Sequence, residues 1–215
     1  MTVPQADFHL KSSQSCSISR RKRPRETAGF SLVEVLIAIV ILTFGLLGMV
    51  GMQAASLHAN REAQLQSAAV VLSRELADMI RGNKAVGVLS GTANPYLGTF
   101  NSPLAAATPS YCLNVASGTC TDTTDIANAE MTEWLARVDA ELPGARVVSC
   151  FDSAPFDSSG LPQWSCTSGA GAVIVIKIGW TRGSTDKSKT GAAALERATD
   201  TNSKPSIVLP VTAGI

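Results

Sequence analysis

The chain has 215 residues, 45% of them hydrophobic and only 16% charged, well under the roughly 25% charge typical of soluble globular chains. The apolar surplus is concentrated in Phe30 to Met52, where only Ser31, Glu34 and Thr43 are polar; the remainder is of ordinary polarity and long enough for one domain with a buried core, which excludes a polytopic membrane protein and argues against a purely cytosolic enzyme. The formal net charge of +1 hides an asymmetry: residues 1–29 carry six Lys/Arg against Asp7 and Glu26, leaving twelve against fifteen, or −3, so no basic domain points to a nucleic-acid partner.

The first predicted element is a spanning helix. A helix rises about 1.5 Å per residue and the hydrocarbon core is about 30 Å thick, so roughly 20 apolar residues cross it. Residues 30–52 are long enough to cross once. Immediately before them, Arg20-Arg21-Lys22-Arg23-Pro24-Arg25 is expected to stay cytoplasmic, which puts the carboxyl-terminal portion outside the cytoplasm. A cleavable secretory signal would have an apolar region of about 7 to 15 residues ending in small residues. Gln53-Ala54-Ala55-Ser56 offers such a site, but the run is longer and carries Glu34 near its start. A plain single-span anchor is the other alternative.

Glu34 is the most informative residue of the run, because an ionised carboxylate in a spanning helix costs about 2.5 to 3.5 kcal/mol at its centre and less towards an end. It either lies shallowly enough to reach the headgroups or has a cationic partner. A cut between Gly29 and Phe30 would supply one: Glu34 would become the fifth residue of a chain with a free amine, a natural counter-ion in an assembly of parallel helices.

Gly29-Phe30-Ser31-Leu32-Val33-Glu34, followed by an apolar helix, resembles the class III signal of type IV prepilins and pseudopilins: Gly, an aromatic residue or Met, Ser/Thr, Leu, an aliphatic residue, Glu. The resemblance implies cleavage after Gly29 by prepilin peptidase, methylation of the new amine on Phe30, and pairing of Glu34 with the amino terminus of a neighbouring subunit. Within that superfamily, residues 41–54 and Asp78-Met79-Ile80-Arg81-Gly82-Asn83 are most similar to the PilV-type minor pilins, described as type IV pilus modification proteins. That likeness covers Gly29 to Asn83 and is one of architecture beyond. It implies a type IV pilin fold and a structural role, incorporated in or priming a pilus. The implied partners are the major pilin, other minor pilins, prepilin peptidase and the inner-membrane assembly machinery. The implied location is the inner membrane, with the carboxyl-terminal domain in the periplasm, and then the pilus fibre. A minor pseudopilin of type II secretion and a membrane-anchored adhesive module using residues 82–124 are the alternatives.

Two departures from the family pattern stand out. The mid-helix proline of many major pilins is missing, with Gly45, Gly48 and Gly51 in its region, and the leader of 29 residues is longer than many pilin leaders. Either the leader is long or translation begins downstream. Each glycine costs a helix interior about 1 kcal/mol relative to Ala, while small residues permit close helix approach in lipid. The segment is either ordinary membrane-helix glycine or a stretch that loosens when the subunit leaves the bilayer for a filament.

Beyond the span, Leu65, Ala69, Leu72, Leu76, Met79 and Ile80 recur at spacings of 3 and 4, with Arg61, Glu62, Arg74, Glu75 and Asp78 as polar companions. The helix therefore continues, and Gly82-Asn83 gives its stop. Phe30 to Arg81 would be one helix about 78 Å long at about 1.5 Å per residue. A coiled-coil seam is the minor alternative for the stripe. The expected organisation is a leader over 1–29, a long helix over 30–81 with 30–52 in the membrane, and an extracytoplasmic head over 82–215.

Residues 82–124 are rich in Gly, Ser, Thr, Asn, Ala and Pro and read as a long connector with short local structure. A second helix is predicted over Asp125 to Leu142, with Met131, Leu135, Val138 and Leu142 on one face, Trp134 bordering it, and Pro143-Gly144 as the stop. Glu133 and Arg137 are spaced for an i, i+4 pair worth about 0.3 kcal/mol. Three strands follow: Arg146 to Phe151, Ala172 to Thr181, and Ser206 to Thr212. In the middle one Ile174, Ile176, Ile178 and Trp180 share the face expected against the long helix, and Val173, Val175, Lys177, Gly179 and Thr181 the other. Pro210 suits an edge strand. Residues 182–205 read as a polar loop with a helical turn near Ala192 to Ala198. The fold class is α+β: a long amino-terminal helix on a small antiparallel sheet.

Of five cysteines, Cys16 falls in the leader, leaving Cys112, Cys120, Cys150 and Cys166 in the head. An even number in an oxidising compartment suggests disulfides. Four cysteines allow three connectivities, and proximity favours Cys112 with Cys120 and Cys150 with Cys166. Zinc competes, but no C-x-x-C pair is present. Only His9 and His58 occur, so a Ser-His-Asp or Cys-His site cannot be assembled in the head, and no phosphate-binding or dinucleotide-binding glycine motif appears. No catalytic residue, metal or cofactor is expected. Asp122 with Asp125, or Asp152 with Asp157, are the only calcium candidates, against the commoner role of loop aspartates as caps of helices and turns.

Overall fold

The computed structural model describes residues 29–114, 118–186 and 188–212. The basic run Arg20 to Arg25 and Cys16 lie outside the described residues. Internal contacts divide the chain into two units, Met1–Val50 and Gly51–Ile215.

In the first unit, helix α1 (Leu32–Gly82) begins. From Gly29 to Val50 every residue is exposed, including Leu32 at 81% and Phe44 at 71%. An α-helix that is apolar on every side has its polar backbone satisfied internally and lacks only an apolar solvent. α1 is long and apolar enough to cross a membrane.

In the second unit, the carboxyl-terminal part of α1 packs on a sheet. Ala69, Leu72, Leu76, Ala77 and Ile80 are buried, with Leu65 and Met79 partly so, which is the stripe that the 3 and 4 spacing predicts. After Gly82, Asn83 donates its backbone N–H to the Met79 carbonyl at 3.0 Å and its side-chain amide to the Thr123 carbonyl at 2.7 Å. One residue thus closes α1 and ties it to the start of the next long helix. A single turn, α2 (Lys84–Gly87), lies between.

Strand β1 (Gly98–Asn101), helix α3 (Thr123–Glu141) and strands β2 (Arg146–Asp152) and β3 (Val173–Gly179) follow. Two short strands, β4 (Arg182–Gly183) and β5 (Leu195–Glu196), pair with each other, and β6 (Ile207–Val211) completes a four-stranded antiparallel sheet in the order β1-β2-β3-β6. Val147 faces Ile178 across β2 and β3, and Ile176 faces Leu209 across β3 and β6. Pro210 sits on the edge strand, where a missing N–H is tolerated. Ile174, Ile176 and Ile178 join the α1 stripe and Met131, Leu135, Val138 and Leu142 in one core.

Three expectations need correction. The 82–124 segment is more than a connector: it contributes β1, which four residues with only Phe100 buried could not announce by alternation. Trp134 does not border the α3 face; it is fully buried, and its indole N–H donates to the Leu72 carbonyl at 3.0 Å. Arg137 reaches across to Glu75 rather than along its own helix to Glu133, because the longer-range carboxylate lies on the neighbouring α1. A feature on which the sequence was silent is that Val175 and Lys177, on the other β3 face, are as buried as the isoleucines. On that side Ser165 lies against Lys177, and Trp164 and Ala198 lie against Gly179.

Element boundaries shift by small amounts with identifiable causes. α3 starts earlier than Asp125 because Asp122 caps it, accepting the Thr124 and Asp125 N–H groups at 2.8 Å each. It ends before Gly144, whose φ of 57° turns the chain into β2. The helical turn anticipated near Ala192 is a 3-10 turn, Gly191–Ala194, leading into β5.

Candidate functional site

The Gly29-Phe30 bond lies in an exposed, non-helical segment just ahead of α1, with Phe30 79% exposed. The helix opens with the Val35 N–H donating to the Ser31 carbonyl at 3.2 Å. Glu34 therefore occupies the first turn, where a carboxylate also opposes the positive end of the helix dipole. Among the described residues no cation is in ion-pair contact with Glu34. Deeper in the run, the Thr43 hydroxyl is satisfied locally, donating to the Val40 carbonyl at 2.8 Å. α1 runs without interruption through Gly45, Gly48 and Gly51, and nothing approaches within 4 Å of where their side chains would stand.

In the head, Cys112 is bonded to Cys120 and Cys150 to Cys166, with Cα separations of 4.9 and 6.4 Å. Each pair comes together near a carboxylate, Asp125 and Asp152 respectively. Bonded sulfurs offer no thiolate to a metal. The four aspartates considered for calcium are engaged by protein donors. Asp122 caps α3; Asp125 accepts from the Ser110 hydroxyl at 2.7 Å and the Thr121 N–H at 3.2 Å. Asp157 accepts the Ser159 and Leu161 N–H groups at 2.9 Å each and the Lys204 ammonium at 3.1 Å. The Leu161 N–H, the Lys204 ammonium and the Ser159 N–H together hold its carboxyl below the ordinary range.

Asp152 carries the feature that the sequence reading missed. Lys177, on the neighbouring strand, donates to it from a fully buried position, and also donates to the Ser165 carbonyl at 2.6 Å. Asp152 in turn accepts the Ala154 and Thr167 N–H groups at 2.9 and 3.0 Å. Burial alone would push this carboxyl up; the ammonium and the two N–H donors outweigh it and hold the group below its ordinary value. The available signal was a lone lysine inside an apolar strand, beside a strand ending in aspartate. The pair and the Cys150–Cys166 bond pin both ends of residues 153–167 to the sheet.

The same layer holds Trp164. Its ring lies against Gly179, with Arg146 stacked at 4.5 Å from the ring centroid, and its indole N–H donates to the Ser203 hydroxyl at 3.1 Å. Elsewhere, Tyr96 is fully buried and donates its hydroxyl to Glu130. Burial, and that same acceptor, push its phenol well above the ordinary value. These are bonds that hold a fold together; none forms a nucleophile, base and orienting acid in sequence. His58 is the one histidine among the described residues and lies on α1.

Residues 25–50 match the family of the prokaryotic N-terminal methylation motif. No curated protein and no solved structure matches the chain. The matched residues span the Gly29-Phe30 junction, Glu34 and most of the apolar run. The motif, the apolar helix behind it and the sheet packed on that helix's carboxyl-terminal part support a type IV pilin-like protein; the motif and the helix fit a single-pass membrane anchor, and the motif points to a structural subunit.

Proposed function

We propose that the chain is a minor pilin-like subunit of the PilV type, incorporated in or priming a type IV pilus. The observation that carries this reading is one junction: an exposed Gly29-Phe30 bond immediately ahead of an apolar helix whose first turn holds Glu34. Prepilin peptidase cleaves after Gly29, the new amine on Phe30 is methylated, and the helix waits in the inner membrane with its head in the periplasm. As the assembly machinery extracts the subunit, the amine of one chain and Glu34 of its neighbour, the major pilin or another minor pilin, neutralise each other in an apolar surround. Both charges are costly there alone, so pairing fixes the axial register of parallel helices. Gly45, Gly48 and Gly51 give the helix a stretch able to loosen on leaving the bilayer.

The experiment is deletion of the gene in its native host, with pili, twitching motility and protein export measured together. Loss of pili and twitching with export intact is the expected outcome. Loss of export with pili intact would replace this reading by a minor pseudopilin of type II secretion.

A further inference from the structure

The charge beyond residue 29 is unevenly placed: residues 182–205 hold five of the twelve Lys/Arg against three Asp/Glu, or +2, leaving seven against twelve, or −5, elsewhere. This basic segment lines a cavity of about 750 Å³ beside β4 and β5. The two carboxylates on its wall are already engaged from within. Glu196 accepts from Arg182 Nε at 3.3 Å and the Ser184 hydroxyl at 3.1 Å, and Asp200 accepts the Arg197 backbone N–H at 3.1 Å. By contrast, the Lys189 ammonium and the Arg197 guanidinium, both on the wall, make no ion pair among the described residues, although, after the Ser188 hydroxyl and N–H, Lys189 helps hold the Asp186 carboxyl below its ordinary range. Arg197, and Lys189 outside any ion pair and only partly offset by Asp186, form a cationic concave site on an otherwise acidic head, which concentrates anions there.

The rest of the wall defines what kind of anion fits. Thr201 and Asn202 offer hydroxyl and amide groups beside the small Ala192 and Ala193, and among the described residues no aromatic ring lines the cavity. The stacking platforms by which proteins hold single-stranded nucleic acid are missing from this wall. Hydroxyls, an amide and two cations outside any ion pair suit a ligand rich in hydroxyls and carboxylates. We propose that the cavity binds an acidic saccharide, with Lys189 and Arg197 holding its carboxylates and Thr201 and Asn202 its hydroxyls. Such binding is a property of the folded head and does not depend on cleavage after Gly29.

The test is titration of the full-length protein in detergent micelles with polygalacturonate, alongside uncharged dextran, inorganic polyphosphate and a single-stranded oligonucleotide of similar length. Polygalacturonate should bind best, with affinity falling as salt rises. The exposed pair Lys189→Glu with Arg197→Glu should lose at least about tenfold in affinity, and Lys189→Gln with Arg197→Gln should lose less, both without a change in Tm. Lys84→Glu, on α2 and outside the cavity, should leave binding unchanged. No binding of polygalacturonate, equal binding of dextran, tighter binding of polyphosphate or the oligonucleotide, or full affinity in the Glu pair would each overturn the assignment.

Discussion

Lys177 Nζ lies 2.6 Å from Asp152 Oδ2, and both side chains are completely shielded from solvent. The two strands that bear them run side by side, so this ion pair joins β2, β3 and residues 153–167 at one point. Asp152→Asn keeps an acceptor for the Ala154 and Thr167 N–H groups but strands the buried ammonium. The head should lose about 3 to 5 kcal/mol, the usual cost of breaking a buried pair. Thermal unfolding of the full chain in micelles measures it, and a Tm within a degree of the parent would refute the role assigned to the pair.

The same pair makes acid sensitivity predictable. Although burial raises the Asp152 carboxyl, the Lys177 ammonium and two N–H donors bring it below the usual range. Because the folded value is depressed, its stabilisation is fully present above the unfolded value of about 3.9 and is lost as pH falls through the folded value. Head stability attributable to Asp152 should thus be flat from neutral pH to about pH 5 and decline below about pH 4. In Lys177→Met the depression is relieved, so the part of the acid limb of a urea-midpoint profile that Asp152 supplies should shrink or vanish, on top of a lower midpoint at neutral pH. An unchanged acid limb would count against the mechanism.

Gly179 is required by its neighbour rather than by its backbone. A Cβ there would lie 3.0 Å from Trp164 Cζ2 and 3.1 Å from Cη2, and the ring is fixed by Arg146 on one side and Ser203 at its N–H. Gly179→Ala should therefore cost about 1 to 3 kcal/mol through overpacking. In a Trp164→Leu background the same change should cost clearly less. Equal penalties in the two backgrounds would show that the ring is not the obstacle.

Glu34→Ala should spare membrane insertion, since it makes the span more apolar, yet impair incorporation into pili by leaving a neighbour's amine unpaired in an apolar surround. Fractionation of membranes and of sheared pili separates the two effects. Normal incorporation of the variant would remove the counter-ion role.

How much of this was legible in the residues follows from period and contrast. The α1 stripe, the α3 face of Met131, Leu135, Val138 and Leu142, and the three longer strands were readable because each repeats its apolar positions over two or more turns or pleats. Strand β1 was not, being too short to show a period. The burial of Lys177 was not legible, because alternation puts it on the face away from the long helix but does not say whether a later loop covers that face. Arg137 was assigned to Glu133 for a related reason: local spacing reveals neighbours along a helix, and Glu75 is 62 residues away. The processing junction, by contrast, is a contiguous signal that needs no fold to be recognised.

The amino terminus of the native protein extracted from its host's membranes tests the central claim most directly. Intact-mass and terminal sequencing should return a chain that opens at N-methylated Phe30, with Glu34 as its fifth residue. A chain opening near Ala55, or one in which Gly29 remains joined to Phe30 in assembled pili, would contradict the account.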